Sequence, residues 1–302
     1  MAVPGTPLEN PPGTTSQGRE PVPQPSADEA TEKPGLKLGL EAFYGASNLP
    51  GSRRFRDGFW LGYGPAYPSV IYGRYLGAQG ATAKVAVGVG KLYNGSMPTL
   101  RQPIEAWYQR PAGSLGVTVG KFYVPFELQE WQYETKWGVM VQGARRGLDM
   151  TGSLNYNQDT NKPNAYFRVG RALTRHATVG ISLGAGEGLS YASTHNKALG
   201  LDASANYRNF DLLSSYVALR RGAAANNFDF GFAKLSYSGL GRLTPFASYH
   251  KWRDRSEQQG DYHGPTLGLT YQLSPGLTLE TAYASASNRY VRWAQLHWIK
   301  EW

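Results

Sequence analysis

The sequence predicts an antiparallel up-and-down β-barrel of about sixteen strands that crosses a membrane. Three observations predict it. Apolar and polar residues alternate with period two from Leu36 to the last residue, the connections alternate long and short, and tyrosines and tryptophans gather at strand ends.

The alternation comes first because successive side chains of a strand point to opposite faces. Leu36, Leu38, Leu40 and Ala42 share one face, with Lys37, Gly39, Glu41 and Phe43 on the other. The pattern recurs at Ala83, Val85, Val87 and Val89, at Leu199, Leu201 and Ala203, and at Leu267, Leu269, Tyr271 and Leu273. Strands are expected over 36–45, 67–77, 81–92, 101–110, 114–124, 136–144, 147–157, 164–173, 177–185, 197–208, 210–220, 228–238, 242–251, 264–273, 276–285 and 289–302. In 228–238 the phase breaks, since Phe228, Phe230 and Phe232 sit opposite Leu235 and Tyr237, and a β-bulge is expected there.

Long connections (46–66, 125–135, 186–196, 252–263) alternate with short ones at 110–113, 145–147, 174–177 and 273–276. Short periplasmic turns and longer outer loops are the wiring of an outer-membrane barrel. Tyr44, Tyr72, Tyr75, Tyr108, Tyr207, Tyr249, Tyr271, Tyr283 and Tyr290 lie near strand ends, where interfacial girdles form.

Composition fits this reading. Hydrophobic residues make up 41% of the chain, and lipid-facing and lumen-facing positions cancel to a mean hydropathy of −0.45. No apolar run approaches the roughly 20 residues of a membrane helix. Cysteine is absent, which excludes disulfides and thiolate chemistry.

Two regions are expected. Residues 1–35 hold eight of the 19 prolines and read as a disordered periplasmic tail, while 36–302 form the barrel. Met1–Gly5 has neither a basic nor an apolar leader segment, so the chain reads as a mature form. The tail is acidic, with Glu9, Glu20, Asp28, Glu29 and Glu32 against Arg19 and Lys33, so the barrel is more basic than the overall +9.

Lys37, Arg74, Lys84, Arg168, Arg208 and Lys234 fall on the polar face with Glu41, Glu105, Asp202 and Glu280. Lining water inside a barrel, they would set a field with a mild anion preference. A second group of arginines (Arg53, Arg54, Arg56, Arg145, Arg146, Arg220, Arg221, Arg253 and Arg255) is assigned to loops and turns, facing outer-membrane lipid and anionic lipopolysaccharide.

Catalytic signals are sparse. The five histidines are scattered without metal-ligand spacing, and Gly184–Gly188 is not followed by a helix that could cradle phosphate. No enzyme activity and no cofactor are expected. Three rivals stand beside a pore: a structural or adhesive barrel whose lumen is plugged, a hydrolase using Ser248 and His250 on the outer wall, and a soluble basic β-protein. The last would bind nucleic acid through aromatics on a polar sheet face; the barrel reading implies no nucleic acid.

Two segments resemble known families. The last strand, Tyr290–Trp302, resembles the C-terminal signature of bacterial outer-membrane barrels, with an aromatic final residue and apolar residues alternating before it. Trp302, Trp298, Leu296 and Ala294 fit. Lys300 stands where the family has an apolar residue, and near a strand end it can snorkel to the interface. That resemblance implies recognition of Trp302, Trp298 and Leu296 by the barrel assembly machinery. Val117–Phe126 is similar to the Gly-x-Phe-x-x-Pro-Phe segment of phosphate-selective and related porins, where a strand leaves the membrane for an outer loop. Glu127 replaces the family's usual glycine, so the architecture carries over and phosphate selectivity does not.

The resemblance to general and phosphate-selective porins implies passive diffusion of small hydrophilic solutes and ions, and assembly as a homotrimer. It also implies a third outer loop folded into the lumen. By position that loop is 125–135, which puts Glu127, Glu130 and Glu134 at the constriction, facing Lys84 and Arg168, with Lys37 and Glu41 also lining the pore.

Overall fold

A computed structural model describes residues 34–48, 54–55, 57–59, 65–89, 103–126, 135–157, 161–186, 196–220, 227–254, 262–286 and 289–302. The tail up to Lys33 and the loop carrying Glu127, Glu130 and Glu134 lie outside the described residues.

Nineteen strands follow in order: β1 (Gly35–Ser47), β2 (Arg54–Phe55), β3 (Asp57–Phe59), β4 (Pro65–Pro68), β5 (Val70–Leu76), β6 (Thr82–Gly88), β7 (Glu105–Ala112), β8 (Leu115–Tyr123), β9 (Thr135–Arg145), β10 (Leu148–Asn157), β11 (Lys162–Thr174), β12 (Ala177–Gly186), β13 (Lys197–Tyr207), β14 (Phe210–Arg220), β15 (Phe228–Tyr237), β16 (Leu243–Asp254), β17 (Tyr262–Ser274), β18 (Leu277–Ala286) and β19 (Arg289–Glu301). β1 and β5 through β19 make a closed antiparallel barrel of 16 strands. The short β2 adds to β1, and β3 pairs with β4 as a separate ribbon. Each expected strand is present, its ends shifted by a few residues.

Closure is made by the two ends of the barrel sequence. β1 pairs with β5 on one side and with β19 on the other, in a register running from Gly39↔Glu301 to Ser47↔Trp293. The final residue extends this seam: Trp302 N–H donates to the Leu38 carbonyl at 2.8 Å, and Leu38 N–H donates to the Trp302 carbonyl at 3.3 Å. The sheet therefore has no free edge, the condition lipid imposes on any spanning β-structure.

The two faces divide as the alternation predicts. Leu36, Leu38, Val119, Val139, Ile181, Leu183, Leu199, Leu201, Leu267 and Leu269 are exposed around the wall, whereas Thr118, Gln142, Ser182, Asp202 and Gln295 are buried on the opposite face. An apolar band of this extent cannot face water, so the exposed face is the lipid face and the polar one the lumen. In β19 the lipid face carries Leu296, Trp298 and Trp302, all exposed, with Lys300 among them.

Four expectations need correction. The register is unbroken across β14–β15 and β15–β16, so no bulge resets the phase of 228–238. The register shifts lie instead at Ala172/Thr174 and Gln272/Ser274. Tyr72 leaves the girdle: its hydroxyl donates to Glu301 Oε1 at 3.5 Å inside the lumen. Arg208 sits in the turn after β13, with positive φ and its guanidinium over the Tyr207 ring, and lines no part of the lumen. Arg145 ends β9 and Arg146 stands in the short β9–β10 turn, at the barrel end opposite the long loops and so away from the leaflet that carries lipopolysaccharide.

Two turns test the wiring. Gly147 and Gly276 share a φ of +74°, the left-handed region that disfavours side chains. A Cβ on Gly147 meets nothing within 4 Å, whereas one on Gly276 runs into the Ile299 carbonyl oxygen of β19. Gly147→Ala should therefore cost about 1 kcal/mol of backbone strain, and Gly276→Ala clearly more. Urea unfolding of the barrel in detergent, followed by tryptophan fluorescence, will rank the two; equal losses would contradict the packing at the β17–β18 turn.

Candidate pore lumen

The inner wall holds charges whose partners come from neighbouring strands. At the seam, the Glu301 carboxylate of β19 accepts from Lys37 Nζ of β1 at 3.5 Å and from Arg74 Nη2 of β5 at 3.4 Å. Glu41 lies 3.0 Å from His297 Nε2, and that imidazole stacks on Phe43 with centroids 4.2 Å apart. Lys84 of β6 pairs with Glu105 of β7 at 2.6 Å, and Trp107 Nε1 donates to the same carboxylate at 3.3 Å. Glu280 accepts from Thr270 Oγ1 at 3.2 Å and from Gln295 Nε2 at 3.3 Å.

Further round the wall, Arg168 of β11 makes a forked contact with Asp202 of β13, Nη2 to Oδ1 at 2.7 Å and Nε to Oδ2 at 3.2 Å. Two parallel charge-assisted bonds make this the best-defined pair in the lumen. The Asp202 side chain has no solvent exposure and that of Arg168 only 16%.

This pair skips a strand, because β12 lies between its partners. Gly180 of β12 makes the reach possible. A Cβ there would stand 2.5 Å from Arg168 Nη2 and 2.6 Å from Asp202 Oδ1, so any other residue would displace the bridge. The same device appears at the seam, where the Tyr72 ring of β5 lies across Gly39 of β1 toward Glu301 of β19. Gly200 of β13 similarly provides the surface on which the Phe126 ring rests.

Phe126 belongs to a part of the lumen that is not polar. The chain leaves β8 at Tyr123 and turns inward, burying Val124 and Phe126 against Tyr166, Ala198, Val217, Leu219, Phe228 and Phe230, with Phe232 packed beside them. These wall residues come from β11, β13, β14 and β15, several strands away from β8 around the barrel. The apparent phase break in 228–238 is thus a change of lumen chemistry at constant register. Phe228, Phe230 and Phe232 face inward as period two requires, and they are apolar because an inward-folded segment covers them.

Of the residues read from the sequence as pore-lining, Lys37, Glu41, Lys84 and Arg168 are on the inner face. Glu127, Glu130 and Glu134 lie outside the described residues. Lys84 and Arg168 are neutralised by Glu105 and Asp202 on the wall itself. Sequence reasoning missed Glu301, Phe126 and Lys136, the last buried with its Nζ donating to Tyr166 Oη at 3.1 Å. The period-two phase would have found Glu301 and Lys136. The three phenylalanines in phase on a polar face were the available sign of an internal apolar contact.

Ser248 and His250, proposed for an outer-wall hydrolase, are buried on the inner face instead. Among the described residues, no group of three or more His, Asp or Glu is placed to hold a metal ion.

Comparisons with known proteins agree with this geometry. The profile of the Gram-negative porin family matches residues 29–290. A search of curated protein sequences returned no match. Among solved structures, the chain is similar in fold to OmpT of Vibrio cholerae in its trimer form, at TM-score 0.63 and 9% identity, covering 89% of this chain and 99% of that one. It is also similar to the anion-selective porin from Comamonas acidovorans (TM-score 0.60, 11% identity, 89% and 99% covered). A substituted Rh. blastica porin gives TM-score 0.58 at 11% identity, with 89% and 100% covered. At these identities the likeness establishes the fold alone. A family match over most of the chain, joined to a closed 16-strand barrel with an apolar exterior and a charged interior, places this chain in the Gram-negative porin family, as a β-barrel of the bacterial outer membrane.

Proposed function

We propose that the barrel is a passive diffusion pore for small hydrophilic solutes and ions, mildly anion-preferring, whose constriction is formed by the segment following Phe126. The observation that supports this is the burial of Val124 and Phe126 against the far inner wall. Glu127, Glu130 and Glu134 follow Phe126 in the sequence, and in this reading they would face the wall that holds Lys84 and Arg168.

The preference is mild because the wall nearly balances. Among the described residues that face inward by the strand period, Lys37, Arg74, Lys84, Lys136, Lys162, Arg168 and Lys234 stand against Glu41, Glu105, Asp149, Asp202, Asp211, Glu280 and Glu301. The Comamonas neighbour's anion selectivity is in keeping with this sign, and the trimeric Vibrio neighbour with assembly as a homotrimer. Leu296, Trp298 and Trp302, on the strand that closes the barrel, serve as the signal for the assembly machinery.

Planar-bilayer recording of the folded protein tests the pore. Stepwise conductance is expected, with a reversal potential in a KCl gradient displaced modestly to the anion side; electrically silent insertion would favour a plugged structural barrel. The triple substitution Glu127→Gln, Glu130→Gln, Glu134→Gln should move the reversal potential further toward anions. If it does not move, the segment is not the constriction.

Arg168→Ala leaves the buried Asp202 carboxylate unpaired. The reversal potential should shift toward cations and unfolding should become easier by about 3 kcal/mol. Lys300→Ala, on the lipid face, should leave the reversal potential unchanged. A silent Arg168→Ala would mean that the pair faces no part of the ion path.

A further inference from the structure

The short-turn end of the barrel is charged on one side only. Arg146 stands in the β9–β10 turn with Arg145 at its edge, Arg175 in the β11–β12 turn, Arg208 in the β13–β14 turn and Arg242 in the β15–β16 turn, all exposed. These turns follow one another around the rim, and none of them holds an Asp or Glu. Among the described residues, none of these arginines forms an ion pair. Arg175 Nε donates to His176 Nε2 at 2.8 Å, and Arg208 lies over the Tyr207 ring. Asp211, close by on β14, accepts instead from Asn206 Nδ2. On the other side of the rim, the β5–β6, β7–β8 and β17–β18 turns carry no charged residue.

The chain supplies an anion at the same end. Gly35 pairs with Leu76, the last residue of β5 before its short turn, so β1 begins here and residues 1–33 are attached here. They hold Glu9, Glu20, Asp28, Glu29 and Glu32 against Arg19 and Lys33. β1 lies across the rim from the arginines: β5 to β8 separate it from β9 one way round, and β17 to β19 separate it from β16 the other way. A barrel of this strand number, with strands about 4.8 Å apart and tilted about 40°, closes on a ring about 30 Å across. Asp28 is 7 residues before Gly35 and Glu20 is 15 before it. Those lengths of chain span at most about 24 Å and about 50 Å. Asp28 can therefore reach the near end of the arginine crescent at Arg242, and Glu20 its middle at Arg175 and Arg208.

We propose that the acidic segment from Glu20 to Glu32 docks on the arginine turns and, in reaching them, crosses the periplasmic mouth of the barrel. The tether selects this occupant over other anions. A soluble anion or a lipid must be recruited, whereas a short linker holds the tail's carboxylates at an effective concentration in the millimolar range beside the turns. Exposed ion pairs are individually weak, so the contact depends on several carboxylates meeting several arginines at once, and it is salt-sensitive. Under the pore reading, the crossing sets carboxylates in the path of solutes entering from the periplasmic side.

The test exploits the absence of cysteine. Gln24→Cys in the tail and Asn209→Cys in the β13–β14 turn are nitroxide-labelled on the full chain, folded in zwitterionic micelles and diluted with unlabelled protein. Distances within one chain are then read by pulsed electron paramagnetic resonance. At low salt a narrow peak is expected, shorter by about 10 Å or more than the broad distribution of an undocked linker of this length. Salt at 1 M, where screening acts within about 3 Å, should disperse the peak. The combined substitutions Arg146→Gln, Arg175→Gln, Arg208→Gln and Arg242→Gln should disperse it too, whereas lysine at the same four positions should keep it. A distribution that is unchanged by salt and by the glutamine substitutions would overturn the docking. A peak that persists in phosphatidylcholine bilayers but disperses in phosphatidylglycerol bilayers would give the turns to anionic lipid and overturn the tail as their occupant. No conductance enters the reading, so the docking and the pore stand or fall separately.

Discussion

Lipid offers no hydrogen bonds, and every backbone N–H and C=O inside it must find a partner within the protein. Each orphan would cost several kcal/mol. In this chain the requirement is met only when β19 pairs with β1, because until then β1 and β19 each present a full row of open donors and acceptors. The reciprocal pair between Leu38 and Trp302 extends that seam to the last residue. Once the seam exists, the other features follow. One face must be apolar, the other can be wet, and the strands must be long enough to cross, most here running 10–13 residues.

A barrel of about 16 strands is too wide for its side chains to fill, so the inner wall must present charged groups without a packed core to hold them. Glycine supplies the means. Where a wall position lacks a Cβ, side chains from the two flanking strands lie across it and meet, as Arg168 and Asp202 do over Gly180 and Tyr72 and Glu301 do over Gly39. Each such contact ties three strands together and keeps long side chains against the wall. Gly200 applies the same geometry to an apolar partner, the Phe126 ring.

Much of this was legible in the sequence, because a strand's two-residue period survives every tertiary influence that keeps it a strand. The number of strands, their faces, the long and short connections, and the inward placement of Lys37, Glu41, Lys84 and Arg168 all follow from that period and from turn chemistry. What escaped depends on contacts between segments far apart in the chain. Phe228, Phe230 and Phe232 looked out of phase because a polar lumen was assumed, and only the return of Val124 and Phe126 onto that wall makes an apolar inner face reasonable. Tyr72 read as a girdle residue because the sequence does not show that Glu301 arrives beside it when the barrel closes. Strand-end arginines such as Arg220 read as loop residues because strand boundaries are the least certain part of any pattern.

The flat ion pairs on the wall have an effect on what a passing solute senses. A cation beside its carboxylate acts at a distance as a short dipole, whose potential decays faster than that of a lone charge, and at physiological salt screening removes much of the remainder within about 8 Å. A solute near the axis therefore feels little of the wall. In the proposed reading it is sorted by what projects inward, and Phe126 is the last described residue of the segment that turns in from β8. If sorting lies with that segment as proposed, assembly and sorting fall to different stretches of chain: the strands remain constrained by closure in lipid, while permeability can drift through changes in one short segment.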